Sequence, residues 1–432
     1  MKNSSIKMPV SSLLFEPIKI GSLELTGRMV KSATVETKCT RDGFITDELI
    51  QYYEEIAQGG TPLIITGATS FNQYSRGVPF QISIDADDKI EGLKRLADTV
   101  HKYDSKIMMQ IYHTARQASL EPVGRIDAQA PSAVFEPTLG VKPRAMSVKE
   151  IQEAVILFAD AAERCKKAEM DGIQIHAAHG YLISSFLTPH TNRRKDEYGG
   201  TFEKRMRFLL EVYHAIRERV GEDYPIIMKI NGSDDLPLRK GLSTQDLVLV
   251  AKRMEDEGIS AVEITAGHYE SCTTFERGNW SGYTKATMTV GPGQSFGWWR
   301  RNLMLLFAPI VDAVFNKVAK FSEGFNLDYA KEFKTALNIP VICVGGLSNK
   351  GSIQRALEGQ QCDMVSVARA LVADPYLYRH LKEGVAGPEC DYCNRCFTMA
   401  GVAPIACGNE KVNAQRIKMI ESESLSNTEH IA

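Results

Sequence analysis

The sequence predicts an α/β fold, a (β/α)8 TIM barrel with a long insertion between strands 6 and 7 and a C-terminal cysteine-rich loop. Short apolar runs rich in Val and Ile alternate with longer segments of helical period, as a parallel sheet covered on both faces requires. Eight such runs are present, and no GxGxxG motif follows the first, which favours a closed barrel over an open doubly wound sheet. The predicted strands are 28–34, 62–67, 106–112, 172–177, 225–230, 260–266, 340–346 and 363–369.

The segments between these strands carry apolar residues at helical spacing. The predicted helices include 46–58, 87–103, 148–170, 202–220 and 244–258. Segment 270–325 interrupts the alternation and contains all three tryptophans, Trp280, Trp298 and Trp299. It is interpreted either as a helical hairpin packed on the barrel or as an active-site lid or subunit contact. The predicted organisation is a barrel domain over 1–389 that includes this insertion, a cysteine-cluster loop over 390–407 and a polar tail over 408–432.

The composition indicates a folded protein that acts on small molecules. Of 432 residues, 44% are hydrophobic and 24% are charged, and the formal net charge of -2 provides no field to attract nucleic acid or an anionic membrane. Residues 1–17 lack the apolar stretch of a secretory signal, and no run approaches the ~20 apolar residues of a membrane span. We therefore expect a cytoplasmic protein without nucleic-acid or membrane partners.

The residues at the predicted strand ends suggest a cofactor site, because chemistry in this fold sits at the C-terminal ends of the strands. Small residues after strands 1 and 2 leave room for a flat ring, and Gln110 offers a donor and an acceptor for a heteroaromatic edge. Two glycines at the end of strand 7 and an arginine at the end of strand 8 lie where this fold commonly binds phosphate. A phosphorylated planar cofactor is therefore expected. The candidate binding residues are Ala33, Thr34, Gly67, Ala68, Gln110, Lys229, Gly345, Gly346, Ala368 and Arg369.

Two histidines and a tyrosine follow strand 4 in the string HAAHGYL. His176 and His179 are interpreted as a metal pair, as two structural histidines, or as donors that hold a substrate carbonyl oxygen. No HExxH motif accompanies them, which disfavours the metal pair. We favour the third interpretation, in which Tyr181, protonated at neutral pH, delivers a proton to carbon while the histidines stabilise enolate charge.

With these residues assembled, the chain resembles the old yellow enzyme family of FMN-dependent ene reductases, in its 2,4-dienoyl-CoA reductase and trimethylamine dehydrogenase branch. The similarity runs from Leu14 to Cys407 and is densest over 171–208, DGIQIHAAHGYLISSFLTPHTNRRKDEYGGTFEKRMRF. The resemblance implies an FMN cofactor contacted by the strand-end residues above, a catalytic His176 and His179 pair, and Tyr181 as proton donor.

Three positions depart from the family pattern. Lys229 stands where the family usually has Arg beneath the flavin, and Ala115 replaces the usual Gly in MQIYHTAR (109–116). Val35 occupies a position where other members place Thr, Cys or His beside the flavin. Lys229 is expected to hold negative charge on the reduced ring as a point charge, without the bidentate geometry of Arg.

A cysteine cluster near the C-terminus has the spacing of a metal site. The pattern C-x2-C-x2-C-x10-C suits a 4Fe-4S cluster or a tetrahedral zinc, the alternative being unrelated buried thiols. The candidate ligands are Cys390, Cys393, Cys396 and Cys407. Trimethylamine dehydrogenase-like members carry a similar pattern that holds a 4Fe-4S cluster, followed by a nucleotide-binding region. The 25 residues after Cys407 are too few for such a region, so the expected cluster either exchanges electrons with a partner protein, is structural, or is not assembled.

These observations predict an FMN oxidoreductase that uses NAD(P)H to reduce the activated C=C bond of an enone or enoyl substrate. Two alternatives remain at this stage. One is an amine or C–H dehydrogenase of the trimethylamine dehydrogenase type, and the other is an electron-relay subunit of a larger complex. A homo-oligomer is compatible with all three.

Overall fold

The eight predicted strands form a closed barrel in which every neighbouring pair is parallel, which confirms the fold prediction. The computed structural model describes residues 12–118, 128–236 and 239–429. The strands follow chain order around the barrel, and β8 pairs with β1 to close it. They are β1 (Met29–Lys31), β2 (Leu63–Ile65), β3 (Lys106–Ile111), β4 (Gly172–Ala177), β5 (Ile226–Asn231), β6 (Ala261–Thr265), β7 (Val341–Val344) and β8 (Met364–Val367).

Helices surround the barrel, and all five predicted helices are present. Several begin at a side-chain cap, such as Ser147, whose hydroxyl accepts the backbone N–H of Glu150 in a reciprocal capping box. The helices are α1 (Asp47–Gln58), α2 (Ile90–His101), α3 (Val148–Lys167), α4 (Leu182–Leu187), α5 (Phe202–Val220), α6 (Thr244–Asp256), α7 (Tyr283–Thr289), α8 (Trp298–Val318), α9 (Leu327–Ala336), α10 (Lys350–Glu358), α11 (Arg369–Ala373), α12 (Leu377–Glu383) and α13 (Glu410–Glu429).

An N-terminal hairpin covers the bottom of the barrel. Its strands, Ile18–Ile20 and Leu23–Leu25, pair antiparallel. Its buried side chains join an apolar cluster with residues that begin the barrel strands, among them Leu63, Ile227 and Ala261. Apolar packing therefore fills this end of the barrel, and the polar strand-end residues lie at the opposite, C-terminal mouth.

The insertion between β6 and β7 forms two packed helices, α7 and α8. Trp280 is buried between the rings of Tyr283 and Phe315, with centroid distances of 4.7 and 5.1 Å. The carboxylate of Asp312 on α8 accepts the backbone N–H of Gly282 at 2.8 Å and so caps the start of α7. The insertion is thus a defined helical unit that begins near the barrel mouth.

The polar tail forms a helix, α13, which was not predicted from the sequence. Its residues are largely good helix formers, and Arg416 holds it against the barrel through an ion pair with Glu55. Residues 1–11, 119–127 and 237–238 of the predicted domain 1–389 and residues 430–432 of the predicted tail lie outside the described residues. Among the helices placed in the structure, none is long and apolar enough to cross a membrane.

Candidate active site

Two adjoining cavities open at the C-terminal mouth of the barrel. The larger has about 1220 Å³ of free volume and the smaller about 480 Å³, each including its open side. Thr265, Phe275, Val344, Ala368 and Phe397 line both cavities, so the two lie side by side. Of the predicted catalytic and cofactor-binding residues, the larger cavity is lined by Ala33, Thr34, Ala68, Gln110, His176, His179, Tyr181, Lys229 and Ala368.

The smaller cavity collects the residues predicted to hold a phosphate. Gly345, Gly346, Ala368 and Arg369 all line it. Gly346 has φ +73°, and a Cβ there would lie 2.7 Å from the Phe321 ring, so glycine is required at this position. The cavity predicted to hold the cofactor ring therefore adjoins the cavity predicted to hold its phosphate, as binding of one elongated cofactor requires.

Gly67 is the one predicted cofactor residue that lines neither cavity. Its backbone N–H donates to the Glu36 carboxylate and to the Tyr53 hydroxyl, both at 3.0 Å. Lys31 pairs with the same carboxylate at 3.1 Å. Gly67 therefore faces a buried polar cluster behind the wall, and its neighbour Ala68 supplies the surface that faces the cavity.

The His-His-Tyr group forms a compact aromatic cluster on the wall of the larger cavity. The ring centroids of His176 and Tyr181 are 4.8 Å apart, and those of His176 and His179 are 5.2 Å apart. His179 has φ +60° and lies between a Thr265 hydroxyl, 3.0 Å from its Nε2, and the stacked ring of Phe275 at 4.6 Å. Hydrogen bonding and stacking thus fix the orientation of the His179 side chain.

Gly180 makes this arrangement possible. It has φ +79°, and a Cβ at this position would overlap the His268 imidazole and lie 2.7 Å from Gln117 Nε2. The chain can therefore reverse between His179 and Tyr181 only because residue 180 carries no side chain.

Burial controls protonation in this cluster. Burial, with the positive charge of Lys229 adding to it, lowers the pKa of His179 to about 3. The pKa of His176 falls well below its usual range through burial, His179 and Lys229. Burial and the negative charge of Glu276 raise the pKa of Tyr181 to about 12. At neutral pH both imidazoles are uncharged and the phenol holds its proton.

Lys229 belongs to a polar network inside the barrel. It pairs across the sheet with His176, and its Nζ lies 3.3 Å from Glu263 Oε2 and 3.1 Å from Ser32 Oγ. Gln174 donates to the same Glu263 oxygen at 2.6 Å and accepts from Gln110 at 2.6 Å. The network thus places Lys229 and Gln110, both predicted to contact the cofactor, in the wall of the larger cavity.

The smaller cavity contains polar atoms suited to a phosphorylated ligand. Asn326 Oδ1 and Ser366 Oγ are buried, and no described residue hydrogen-bonds to either atom. Arg369 is also buried there, with its guanidinium hydrogen-bonded to the Asn394 side chain and stacked over the Tyr392 ring at 4.9 Å. A serine hydroxyl without a partner beside an arginine fits the polar end of FMN.

Two acidic residues of the site were not predicted from the sequence. Glu276 lines the larger cavity, and burial raises its pKa to about 7 against the opposing charge of Arg369. It lies in the insertion, where no strand-end rule applied. Glu263 lies inside the apolar run SAVEITA, and a lone charge within a barrel strand could have indicated it.

The departures from the family pattern have structural consequences. Ala115 adopts φ +54° and is buried, so it holds a left-handed backbone conformation that the family's glycine accommodates without a Cβ. Val35 lines the larger cavity, as expected for a residue beside the flavin.

The four cysteines of the C-terminal loop are free thiols. Burial raises the pKa of Cys396 to about 12, and the other three thiols add to that rise, so all three lie within electrostatic range of Cys396. Cys396 also lines the larger cavity. In the described ranges, however, no three His, Cys, Asp or Glu side chains stand together as a metal site. The four thiols and their spacing in the sequence therefore suit a metal site, but in the structure the thiols are not arranged around a common point.

Comparisons with known proteins identify the family of this chain. Residues 13–291 match the NADH:flavin oxidoreductase / NADH oxidase family, and residues 317–422 match the dihydrouridine synthase (Dus) family. An NADH oxidase from Thermoanaerobacter brockii is 35% identical over 385 residues, 88% of this chain and 52% of that protein. An NADPH dehydrogenase from Bacillus cytotoxicus (strain DSM 22905 / CIP 110041 / 391-98 / NVH 391-98) is 31% identical over 372 residues, 86% of this chain and 92% of that protein.

A solved structure of a 2-naphthoyl-CoA reductase complex with 2-naphthoyl-CoA superposes with a TM-score of 0.78 at 25% identity. The match covers 93% of this chain and 58% of that one. The chain therefore spans about half the length of some relatives and nearly all of others.

Proposed function

This chain belongs to the NADH:flavin oxidoreductase / NADH oxidase family, and on that premise we propose that it uses FMN and NAD(P)H to reduce activated C=C bonds of enone or enoyl substrates. The observation that carries the proposal is the meeting of His176, His179, Tyr181 and Lys229 on one cavity of sufficient volume. Bound FMN supplies the hydride chemistry of the reaction.

The residues proposed to hold FMN divide between the two cavities. Ala33, Ala68 and Gln110 offer a flat apolar surface with one amide for the ring, and Lys229 offers positive charge for the reduced form. Gly346 and Arg369 lie where the phosphate would bind.

The proposed role of the histidines follows from their hydrogen bonds. The backbone N–H of Ala178 points at His176 Nδ1 at 3.3 Å, which leaves the ring proton on Nε2 as a donor. His179 Nε2 lies 3.0 Å from the Thr265 hydroxyl, and in the proposed tautomer that hydroxyl donates to Nε2 and the ring proton is on Nδ1. Two neutral, oriented donors stabilise the oxygen of a substrate carbonyl as negative charge develops on it.

Tyr181 is the proposed general acid. Its hydroxyl is protonated at neutral pH, and its ring adjoins both His176 and Tyr112. A phenol in this position delivers a proton to the α-carbon of the substrate while the histidines hold the carbonyl. In the overall reaction NAD(P)H supplies two electrons and one proton as a hydride, Tyr181 supplies one proton to the double bond, and a proton from solvent restores Tyr181.

We also propose that Cys390, Cys393, Cys396 and Cys407 bind a 4Fe-4S cluster, with zinc as the alternative. A bound cluster supplies one-electron transfer, for which a separate protein is the proposed partner. Iron and acid-labile sulfide in anaerobically purified protein test this assignment, with Cys396→Ser as the ligand variant and Cys343→Ser, a buried thiol of β7, as the control. Iron that remains in Cys396→Ser, or zinc alone in the parent protein, contradicts the 4Fe-4S assignment.

Anaerobic reduction tests the main proposal. NADH and NADPH are added separately to the flavin-loaded protein, and 2-cyclohexenone follows. We expect bleaching of the flavin absorbance by at least one nucleotide and its return with the enone. Absence of bleaching with both nucleotides, or bleaching that no activated alkene reverses, contradicts the proposal.

Amine oxidation is the second candidate, because the larger cavity carries four aromatic side chains: Tyr181, Tyr269, Phe275 and Phe397. Aromatic faces bind alkylammonium groups through cation–π attraction. A panel of secondary and tertiary amines, screened for anaerobic bleaching of the flavin, separates this direction from alkene reduction.

A further inference from the structure

Helix α8 presents a continuous apolar face to solvent. Twelve of its residues are exposed, at positions 298, 299, 302, 303, 306, 307, 309, 310, 313, 314, 317 and 318. Ten of these are apolar, and the polar exceptions are Asn302 and Lys317. Trp299 is 80% exposed and Leu306 is 72% exposed. Single exposed apolar residues are ordinary, but a stripe that runs the length of a helix marks a contact surface.

The opposite face fixes this orientation. Arg300 donates to the carbonyl of Leu139 at 2.9 Å, and Arg301 donates to the carbonyl of Met288 at 2.9 Å. Asp312 accepts the backbone N–H groups of Gly282 and Thr284. Apart from Lys317, the charged groups of α8 are thus directed into the protein, and the two arginines that would favour an anionic membrane surface are bound to carbonyls.

The exposed face matches a second copy of itself when two α8 helices are packed antiparallel with their centres at residue 308. Trp298 then lies opposite Val318, and Leu306 lies opposite Ile310. Lys317, the one charged residue of this face, lies opposite Trp299, where a cation–π contact can form. A two-fold axis produces this antiparallel arrangement, because such an interface brings one surface patch against its own copy.

The area is also sufficient for a stable pair. Eight large apolar side chains of α8 are between 45% and 80% exposed. At roughly 100 Å² each they offer about 800 Å² per copy, the size of a standard interface. We propose that two copies of this chain dimerise by packing α8 antiparallel against α8 about a two-fold axis.

The experiment is sedimentation velocity on the full chain at micromolar concentration, with Leu306→Glu as the test variant. We expect a dimer for the parent protein and an increase of at least about 30-fold in the dimer dissociation constant for Leu306→Glu. The control is Leu249→Glu, which adds the same charge at an exposed leucine of α6 and leaves the dimer intact. Circular dichroism and thermal unfolding establish that both variants fold.

A monomeric parent protein overturns the proposal, as does a Leu306→Glu variant that dimerises like the parent. Flotation with vesicles of anionic phospholipid tests the alternative, that a lipid surface covers the exposed face of α8. A parent protein that is monomeric in solution and floats with the vesicles through Leu306 assigns the face to a lipid surface and rejects the dimer.

Discussion

Replacing Tyr181 by Phe removes one oxygen atom from the site and leaves the ring in place. The ring packs edge-on against Tyr112 at 5.1 Å and against His176 at 4.8 Å, and neither contact needs the hydroxyl. The substitution therefore removes the proton donor without disturbing the packing. A positioned general acid contributes about 10²- to 10⁴-fold to a rate, which corresponds to about 3–5 kcal/mol of transition-state stabilisation.

Anaerobic stopped-flow measurement separates the two halves of the reaction. We expect Tyr181→Phe to bleach the flavin with NAD(P)H at the parent rate and to be reoxidised by 2-cyclohexenone about 10²- to 10⁴-fold more slowly. Tyr112→Phe is the matched control, because the Tyr112 hydroxyl donates to Gln81 Oε1 at 3.1 Å and is not among the groups that line the cavity. Equal enone rates in the two variants would refute the assignment of the proton donor.

Three further predictions concern charge and backbone at the site. Lys229→Met leaves Glu263 as a buried carboxylate without its cation, so the unfolding free energy measured in urea should fall by about 3–5 kcal/mol, and adding Glu263→Gln should restore part of it. The pKa of Glu276 is raised to about 7, so its ionisation above that pH places a negative charge near the phenol and should slow reoxidation by the enone; Glu276→Gln should flatten this pH profile. Gly180→Ala forces a Cβ into the His268 ring, so the free energy of unfolding, measured by thermal unfolding, should fall by about 2 kcal/mol or more.

Each of these has an outcome that contradicts it. Lys229→Met as stable as the parent would show that the pair with Glu263 contributes nothing to folding. An unchanged pH profile in Glu276→Gln would assign the titration to another group. Gly282 has the same φ of +79° as Gly180, and among the described residues no heavy atom beyond its two chain neighbours lies within 4 Å of the position that a Cβ would take there. Gly282→Ala therefore measures the backbone cost alone, and an equal loss in both variants would exclude the clash.

The barrel and most of the site follow from sequence because both depend on local pattern. Apolar runs define the strands, and the residue that ends a parallel strand must lie at the same mouth as its neighbours. His176 and Lys229 are far apart in the chain, yet both line one cavity because they lie near the C-terminal ends of neighbouring strands of the same sheet. The same rule located Gln110 and Arg369.

The remaining features depend on contacts that no local pattern encodes. Gly67 and Ala68 are adjacent, and the hydrogen bonds of Gly67 to Glu36 and Tyr53 hold it behind the wall while Ala68 faces the cavity. Glu276 reaches the site from an insertion whose path is set by packing against the C-terminal loop, where Asn394 donates to the Glu276 carbonyl at 3.0 Å. The cysteine spacing predicted the donor set, but spacing does not determine how close the thiols approach.

A crystal structure of the FMN-loaded protein tests the central claim most directly. We expect the flavin ring in the larger cavity beside His176 and Tyr181, and the phosphate in the smaller cavity beside Gly346 and Arg369. Flavin bound anywhere else, or bound with its phosphate away from Arg369, would contradict this assignment of the site.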